Sequence, residues 1–462
     1  MTLFDARGTA LSTTQRSSVD AYDQALDLFN SFRADPLAVL DAALTAEPGF
    51  VSGRLMQTGL FLGGFDGSLH AMAAEALGAA EACASSANDR ERSLLAALRP
   101  WTQGDLHGSG RLLERHVIDH PRDLFALQLA HVLDLALGQS EMLRDRIGRA
   151  IGHWSSDDEG YGYVLGMHAF GLEECNEYAR AEAVGRRAVE LQPHDAWAVH
   201  AVAHVCEMQG RVDDGLSWLT TTRPDWCEKN SLAVHNHWHM ALMHLSRGDD
   251  VSALAMYDAA VTPAAQAFAL DFVDASALLW RLTLAGVPVQ GRWAELAARW
   301  RSQSTLGAIA FNDVHAMMAM VGAGDDEGAA DVAAAIEGAA AQSEVAAWRT
   351  VALPFSRALQ AFGASRHAAC AELLLPVLSA SHPLGGSHAQ RDILRLTAAE
   401  AARRAGDEAM AQALTAQRQV QKKRGAAAAP AAGTGGTTST AASAVAAVAA
   451  TSTARGDEHA HA

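Results

Sequence analysis

Two pairs of histidines stand four residues apart, His200 with His204 and His235 with His239, each in a stretch of helical periodicity. Side chains four apart lie on one face of a helix, about one turn from each other, so each pair directs two imidazoles into one volume. Glu207 follows His204 by three residues on the same face. Seven of the chain's twenty histidines fall between His194 and His244, which concentrates this chemistry in one region. If the two helices lie side by side, four imidazoles and a carboxylate converge.

Three kinds of chemistry fit such a cluster. The first is a transition-metal site: imidazole suits zinc, copper, nickel or iron, and an i, i+4 pair is a common way for one helix to offer two ligands. Zinc is the leading expectation, with His200, His204, His235 and His239 as ligands and Glu207 as a further ligand or a general base. The glutamate that directly follows the first histidine in the HExxH protease motif is missing here, so that mechanism does not carry over. The second is a metal-free acid/base pocket using histidines that titrate near neutrality. The third is a set of buried, hydrogen-bonded packing histidines with no chemistry. His237 lies off the His235/His239 face and reads as packing or surface.

Two distant segments could complete a pocket. In FNDVHAMMAM, Asp313 and His315 sit at the start of a helix, where a carboxylate also simply complements the helix dipole. In GGSHAQRDIL, Ser387 is a natural helix cap. Behind it His388 offers a base, Arg391 a fixed cation for a substrate carboxylate or phosphate, and Asp392 a carboxylate. The plain alternative is an intrahelical ion pair. Trp197 could wall the pocket with apolar surface. Cys206 points away from His204 and reads as core rather than nucleophile. Gly108 to Gly110 follow no strand, so a phosphate loop is unsupported.

The elements that must hold these residues are helices. Alanine and leucine dominate, only 12 prolines appear, and alternating strand-like runs are scarce. The formal net charge of -17, without a Lys/Arg patch, argues against nucleic acid as a partner. Five scattered cysteines with no CxxC suit a reducing compartment. The N-terminus lacks a signal-length apolar core and no apolar run approaches ~18 residues, so the expectation is a soluble cytoplasmic protein with no membrane partner.

From Asn88 onward helix pairs recur, and Pro121 and Pro193 close two of them twice a ~36-residue period apart. The unit from Gly162 to Asp195 fits the tetratricopeptide template of about 34 residues, with small Ala169, Ala181 and Ala188 and a closing Pro193. The template restarts at Ala196 and near Val234, the second interval lengthened by RPDWCE (Arg223 to Glu228). His131, His168, His204 and His239 then recur on four successive first helices. The expected organisation is a patternless, disordered N-terminus over residues 1–13, a helical-repeat domain over 14–424, and a low-complexity Ala/Gly/Thr/Ser tail over 425–462 that lacks the apolar surface to order itself.

HDAWAVHAVAHVCEMQGR (His194 to Arg211) resembles the tetratricopeptide-repeat protein 38 family, as do Tyr161 to Glu182, His235 to Asp249, Phe311 to Met320 and Gly385 to Leu394. The resemblance covers roughly residues 15–424. It implies an all-α superhelical solenoid of tetratricopeptide-like pairs whose first helices line the concave side. It implies no activity, since fold alone is not function. The expectation is a histidine-rich concave site for a small molecule or transition metal, with metal-assisted hydrolysis as one activity such a site could support. The alternative is an adaptor that binds a peptide in an open groove.

Overall fold

The periodicity of the outer helices and its loss in the inner ones explain how the chain packs. A computed structural model describes residues 2–264, 267–289, 291–303, 305–343 and 345–426. The first helices are α1 (Arg16–Asn30), α2 (Pro36–Ala46), α3 (Val51–Gly63), α4 (His70–Ala82), α5 (Asp89–Thr102), α6 (Leu106–Asp119), α7 (Leu124–Ala136) and α8 (Ser140–Ala150). The site region comprises α9 (Tyr161–Glu174), α10 (Tyr178–Leu191), α11 (Ala196–Met208), α12 (Val212–Trp226), α13 (Ala233–Ser246), α14 (Asp250–Met256) and α15 (Ala269–Leu284). The remainder are α16 (Arg292–Gln303), α17 (Ala310–Ala323), α18 (Asp326–Gln342), α19 (Leu353–Gly363), α20 (His367–Leu374), α21 (His388–Arg404) and α22 (Glu408–Ala426). Among the described residues the one sheet is a two-stranded ribbon, so the all-α expectation holds.

Every residue of α11 is buried, as is the run Gly162 to Glu174 of α9 and the run Asp271 to Leu282 of α15. Helices apolar all round belong inside. Their successors bury one stripe only: Tyr178, Ala181, Gly185 and Ala188 on α10, and Gly215, Leu219, Thr222 and Trp226 on α12. That spacing of three and four is the signature of a helix lying on a core with its other face in water. Full burial of Leu219 contributes roughly 1.5–3 kcal/mol, and Leu219→Ala would cost about 2–5 kcal/mol.

Close approach sets the distances inside this layer. A Cβ on Gly171 would lie 2.5 Å from the Leu143 carbonyl, so α9 and α8 meet backbone to backbone there. Asp195 accepts from the backbone N–H groups of Trp197 and Ala198, both at 3.0 Å, and so fixes where α11 begins.

Two local expectations are corrected. Residues 3–11 form a hairpin, pairing Leu3 with Leu11 and Phe4 with Ala10. Order there comes from distant partners: buried Arg7 pairs with Asp23 at 2.7 Å and with Glu159 at 3.3 Å. RPDWCE is not a connection throughout, because α12 carries Pro224 in its last turn and runs to Trp226. The low-complexity tail lies outside the described residues, except that α22 runs to Ala426. All five cysteines are free, and no helix among the described residues is long and apolar enough to cross a membrane.

Candidate metal centre

Helices α11 and α13 pack against each other and present their i, i+4 histidines to one interior volume. His200, His204, His235 and His239 are all buried, the most exposed of them at 4 %. Ring centroids lie 4.3 Å apart for His200 and His204, 4.4 Å for His204 and His239, and 4.8 Å for His200 and His235. One nitrogen from each of the four falls within 4.8 Å of the others. His235 Nε2 and His200 Nε2 stand 3.0 Å apart, so one donates to the other.

Carboxylates stand behind three of the four rings. His235 Nδ1 donates to Asp274 of α15 at 2.8 Å, and His239 Nδ1 donates to Glu207 of α11 at 2.8 Å. His204 Nδ1 faces Glu173 of α9 at 3.5 Å. For His235 and His239 the carboxylate on Nδ1 fixes the tautomer and the ring orientation, leaving Nε2 as the lone-pair nitrogen, and raises that nitrogen's basicity. Asp274 and Glu173 were not among the residues expected from sequence. Their one sequence signal is an acid inside an apolar helical run, FVDASALLW and AFGLEE. Glu207 is placed differently from the expectation: it holds His239 and is not a free base.

Burial shapes the titration of the whole cluster. It holds His200 and His239 well below the ordinary histidine range, reinforced by the neighbouring imidazoles, and brings His204 down to about 4. Burial also raises Asp274, against the opposing pull of His235. Glu173 is pushed far up by burial and by the adjacent Glu174. Burial opposes ionisation of Glu174 too, but His388, Arg391 and His204 outweigh it and hold that carboxyl low.

Neutral imidazole is the form that ligates a metal. His200 Nδ1, both nitrogens of His204 and His239 Nε2 have no hydrogen-bond partner among the described residues. A packing cluster would satisfy such groups. Zinc–nitrogen bonds of about 2.0–2.1 Å place tetrahedral ligand atoms roughly 3.4 Å apart. Side-chain adjustments of an ångström or so would bring the four nitrogens to that spacing, so the donor set fits a transition metal.

The other expected residues are distributed around this centre. Trp197 packs on His200 with centroids 4.9 Å apart, and its indole N–H donates to His131 Nε2 at 3.1 Å. His131 is thereby occupied, so the histidine ladder contributes only His204 and His239 to the cluster. Asp313 accepts from the Gly307 N–H at 2.7 Å, and burial pushes its carboxyl up to about 7. His315 donates from Nδ1 to the Phe311 carbonyl at 2.7 Å, and burial brings it down to about 4. Among the described residues, no hydrogen bond joins Asp313 or His315 to the four histidines.

The GGSHAQRDIL segment does reach the centre, in another role. The expected Ser387 cap forms, with Ser387 accepting from Gln390 N–H and Gln390 accepting from Ser387 N–H. Glu174 accepts from the His388 backbone N–H at 2.8 Å and from Arg391 Nη2 at 3.3 Å, while His388 Nε2 donates to the Glu174 carbonyl at 2.9 Å. Arg391 also donates to the Gly385 and Gly386 carbonyls. His388 and Arg391 thus clamp α21 onto α9 and are not free as base or substrate anchor. Asp392 accepts from Arg418 at 2.8 Å and 2.9 Å, an ion pair in place of the expected catalytic carboxylate.

Two cavities flank the tetrad. One of about 700 Å³ has Trp197 in its wall, and one of about 850 Å³ has Glu207, Arg281 and Asp392 in its wall. Arg281 donates to the carbonyls of Ala277 and Ala389 and lies 5.2 Å over the Trp238 ring, which in turn stacks on His235. No protein-family model matches the chain.

Proposed function

We propose that this chain is a helical-repeat metalloprotein that holds a transition metal, zinc first, at His200, His204, His235 and His239. One observation carries the reading: His235 and His239 each donate from Nδ1 to a carboxylate on another helix, Asp274 and Glu207, while His204 Nδ1 faces Glu173 at 3.5 Å. Packing alone gives no reason for that repetition, whereas metal ligation does.

Among the described residues His200 has no acidic side chain facing Nδ1, whereas His204 faces Glu173 at 3.5 Å without a hydrogen bond. We read His204, His235 and His239 as the fixed ligands and His200 as the one that yields. Three held ligands and one exchangeable position is the arrangement of catalytic zinc sites. A metal bound there supplies Lewis acidity and a bound water acidified toward neutrality, which is the chemistry of hydrolysis. A small-molecule hydrolase is therefore the activity this reading favours. The residues' own part is to orient the ligands, through Asp274 and Glu207, and to keep bulk water out.

The wider reading follows the resemblance to the tetratricopeptide-repeat protein 38 family. We infer a superhelical solenoid, supported by the sequence of inner, fully buried helices and outer, one-striped ones. Free cysteines throughout support a reducing, cytoplasmic setting. A peptide adaptor needs an open groove, and the burial of His200 and His204 argues for a small-molecule reactant instead.

The test is metal content by plasma mass spectrometry on untagged protein prepared without chelator, beside the His204→Ala/His239→Ala double variant. About one metal per chain, lost in the variant, is the expected result. No metal in either protein after incubation with zinc, nickel, manganese or iron would end the proposal.

A further inference from the structure

The cavity on the Trp197 side has a wall of unusual composition for so acidic a chain. Its described lining includes Phe32, Trp101, Trp197, Phe311 and Trp348, and contains no Asp, Glu, Lys or Arg. The rings are fixed rather than loose. Phe32 and Trp197 stack with centroids 5.6 Å apart at an interplanar angle of 17°, and Trp197 is anchored by its bond to His131. The polar side chains in the wall are amides, Ser343 and three exposed imidazoles, His70, His107 and His382, and two of the amides are already engaged. Asn312 donates to the Phe65 carbonyl at 3.0 Å, and Gln390 accepts from the Ser387 N–H at 2.9 Å.

Close backbone packing forms one wall of the cavity. Gly386 N–H donates to the Leu135 carbonyl at 3.2 Å, and a Cβ on Gly385 would lie 2.4 Å from the Ala136 carbonyl. Both glycines have positive φ, 85° and 73°. The strap before α21 therefore lies directly on the end of α7 and leaves no room for a passing peptide chain there.

We propose that this cavity binds a neutral, largely apolar small molecule with an aromatic ring system. A volume of about 700 Å³ suits an organic ligand of drug-like size. A charged ligand would lose its hydration and meet no Asp, Glu, Lys or Arg side chain, only the exposed imidazoles of His70, His107 and His382, which is costly. A neutral ring meets stacked aromatic faces that reward it. The inference stands on the cavity's own lining and goes beyond the metal reading, although Trp197 is the ring that separates this ligand from His200.

The experiment compares two dyes that share one ring system, N-phenyl-1-naphthylamine and 8-anilino-1-naphthalenesulfonate, the second carrying a sulfonate. It uses the full chain, with and without added zinc, so that loss of the metal reading leaves this one testable. The neutral dye is expected to saturate at one per chain and to bind at least about tenfold tighter than the sulfonate. Val132→Trp and Leu270→Trp fill the cavity from α7 and α15 and should each weaken the neutral dye about tenfold or more. Thermal unfolding and metal content identify a variant that has simply lost its fold, and the other variant then decides. Equal binding of both dyes, or neutral-dye binding that neither folded variant weakens, would overturn the proposal. So would one-to-one displacement of the dye by a synthetic peptide of residues 427–462, which would assign the cavity to the chain's own tail.

Discussion

On the Trp197 side of the tetrad the described cavity wall has three exposed histidines but no Asp, Glu, Lys or Arg, whereas on the Glu207 side it carries five acids and three arginines. The charged side is largely self-neutralised: Asp392 pairs with Arg418, and Glu400 pairs with Arg403. Two charges there touch the tetrad's surroundings, Glu207 through His239 and Arg281 over Trp238. Burial pushes Arg281 down to about 10, yet leaves it a cation at neutral pH. One side can therefore bias the electrostatics of the histidines, while the other can present an uncharged reactant to them. Helix α21 and the strap before it divide the two, since Gly386 and Gln390 face the Trp197-side cavity and Ala389 and Asp392 the charged one.

Breaking that dividing wall should have the largest effect. Arg391→Ala leaves the Glu174 carboxylate buried without its guanidinium, which costs roughly 3–5 kcal/mol. Chemical denaturation should show that loss, and the neutral dye should lose its site as α21 loosens. A stability change under about 1 kcal/mol would mean that the clamp is ornamental.

Acidification comes next, and its sign follows from the histidines. His204, held down to about 4, stays neutral in the folded protein while the unfolded chain takes up a proton below its ordinary value near 6.5. Its contribution is fully present above pH ~6.5 and is lost as the pH falls toward ~4, where both states are protonated. For this one group the loss approaches roughly 3 kcal/mol, and His315, also at about 4, adds to it. Unfolding free energy measured from pH 7 to 4 in metal-free protein should fall steeply, and a flat profile would contradict the burial of neutral imidazoles.

Removing a carboxylate tests the two sides against each other. Asp274→Ala should weaken metal binding by about 10- to 100-fold, because His235 loses the group that fixes its tautomer. Glu207→Gln keeps a hydrogen-bond acceptor and should cost less, about tenfold. Competition with a chromophoric chelator measures both. Neither should alter binding of the neutral dye, and a variant that moved both readouts would merge the two cavities into one site.

Trp197→Phe should have the smallest effect, about 1 kcal/mol from the lost bond to His131. Differential scanning calorimetry would measure it, with metal affinity expected to stay within about twofold.

These contrasts also show what could be read from sequence. The i, i+4 histidine pairs were legible because helical spacing alone puts them on one face, and the recurring pairs of helices declared an all-α chain. Asp274 and Glu173 were not legible, because they reach His235 and His204 from other helices and no local spacing announces them. Glu207 was visible, but its role was not: three residues from His204, it turns instead to His239 across the helix interface. The closure of Arg391 on Glu174 spans 217 residues, and the N-terminal hairpin depends on Arg7 reaching Glu159. In each case the missing information was a tertiary neighbour, to which helical periodicity is blind.

Zinc K-edge X-ray absorption on the reconstituted protein addresses the central claim most directly. The account predicts a first shell of three or four imidazole nitrogens at about 2.0–2.1 Å, with the imidazole scattering lost in His204→Ala/His239→Ala. An oxygen-dominated shell, or a spectrum unchanged by that double substitution, would place the metal elsewhere and contradict it.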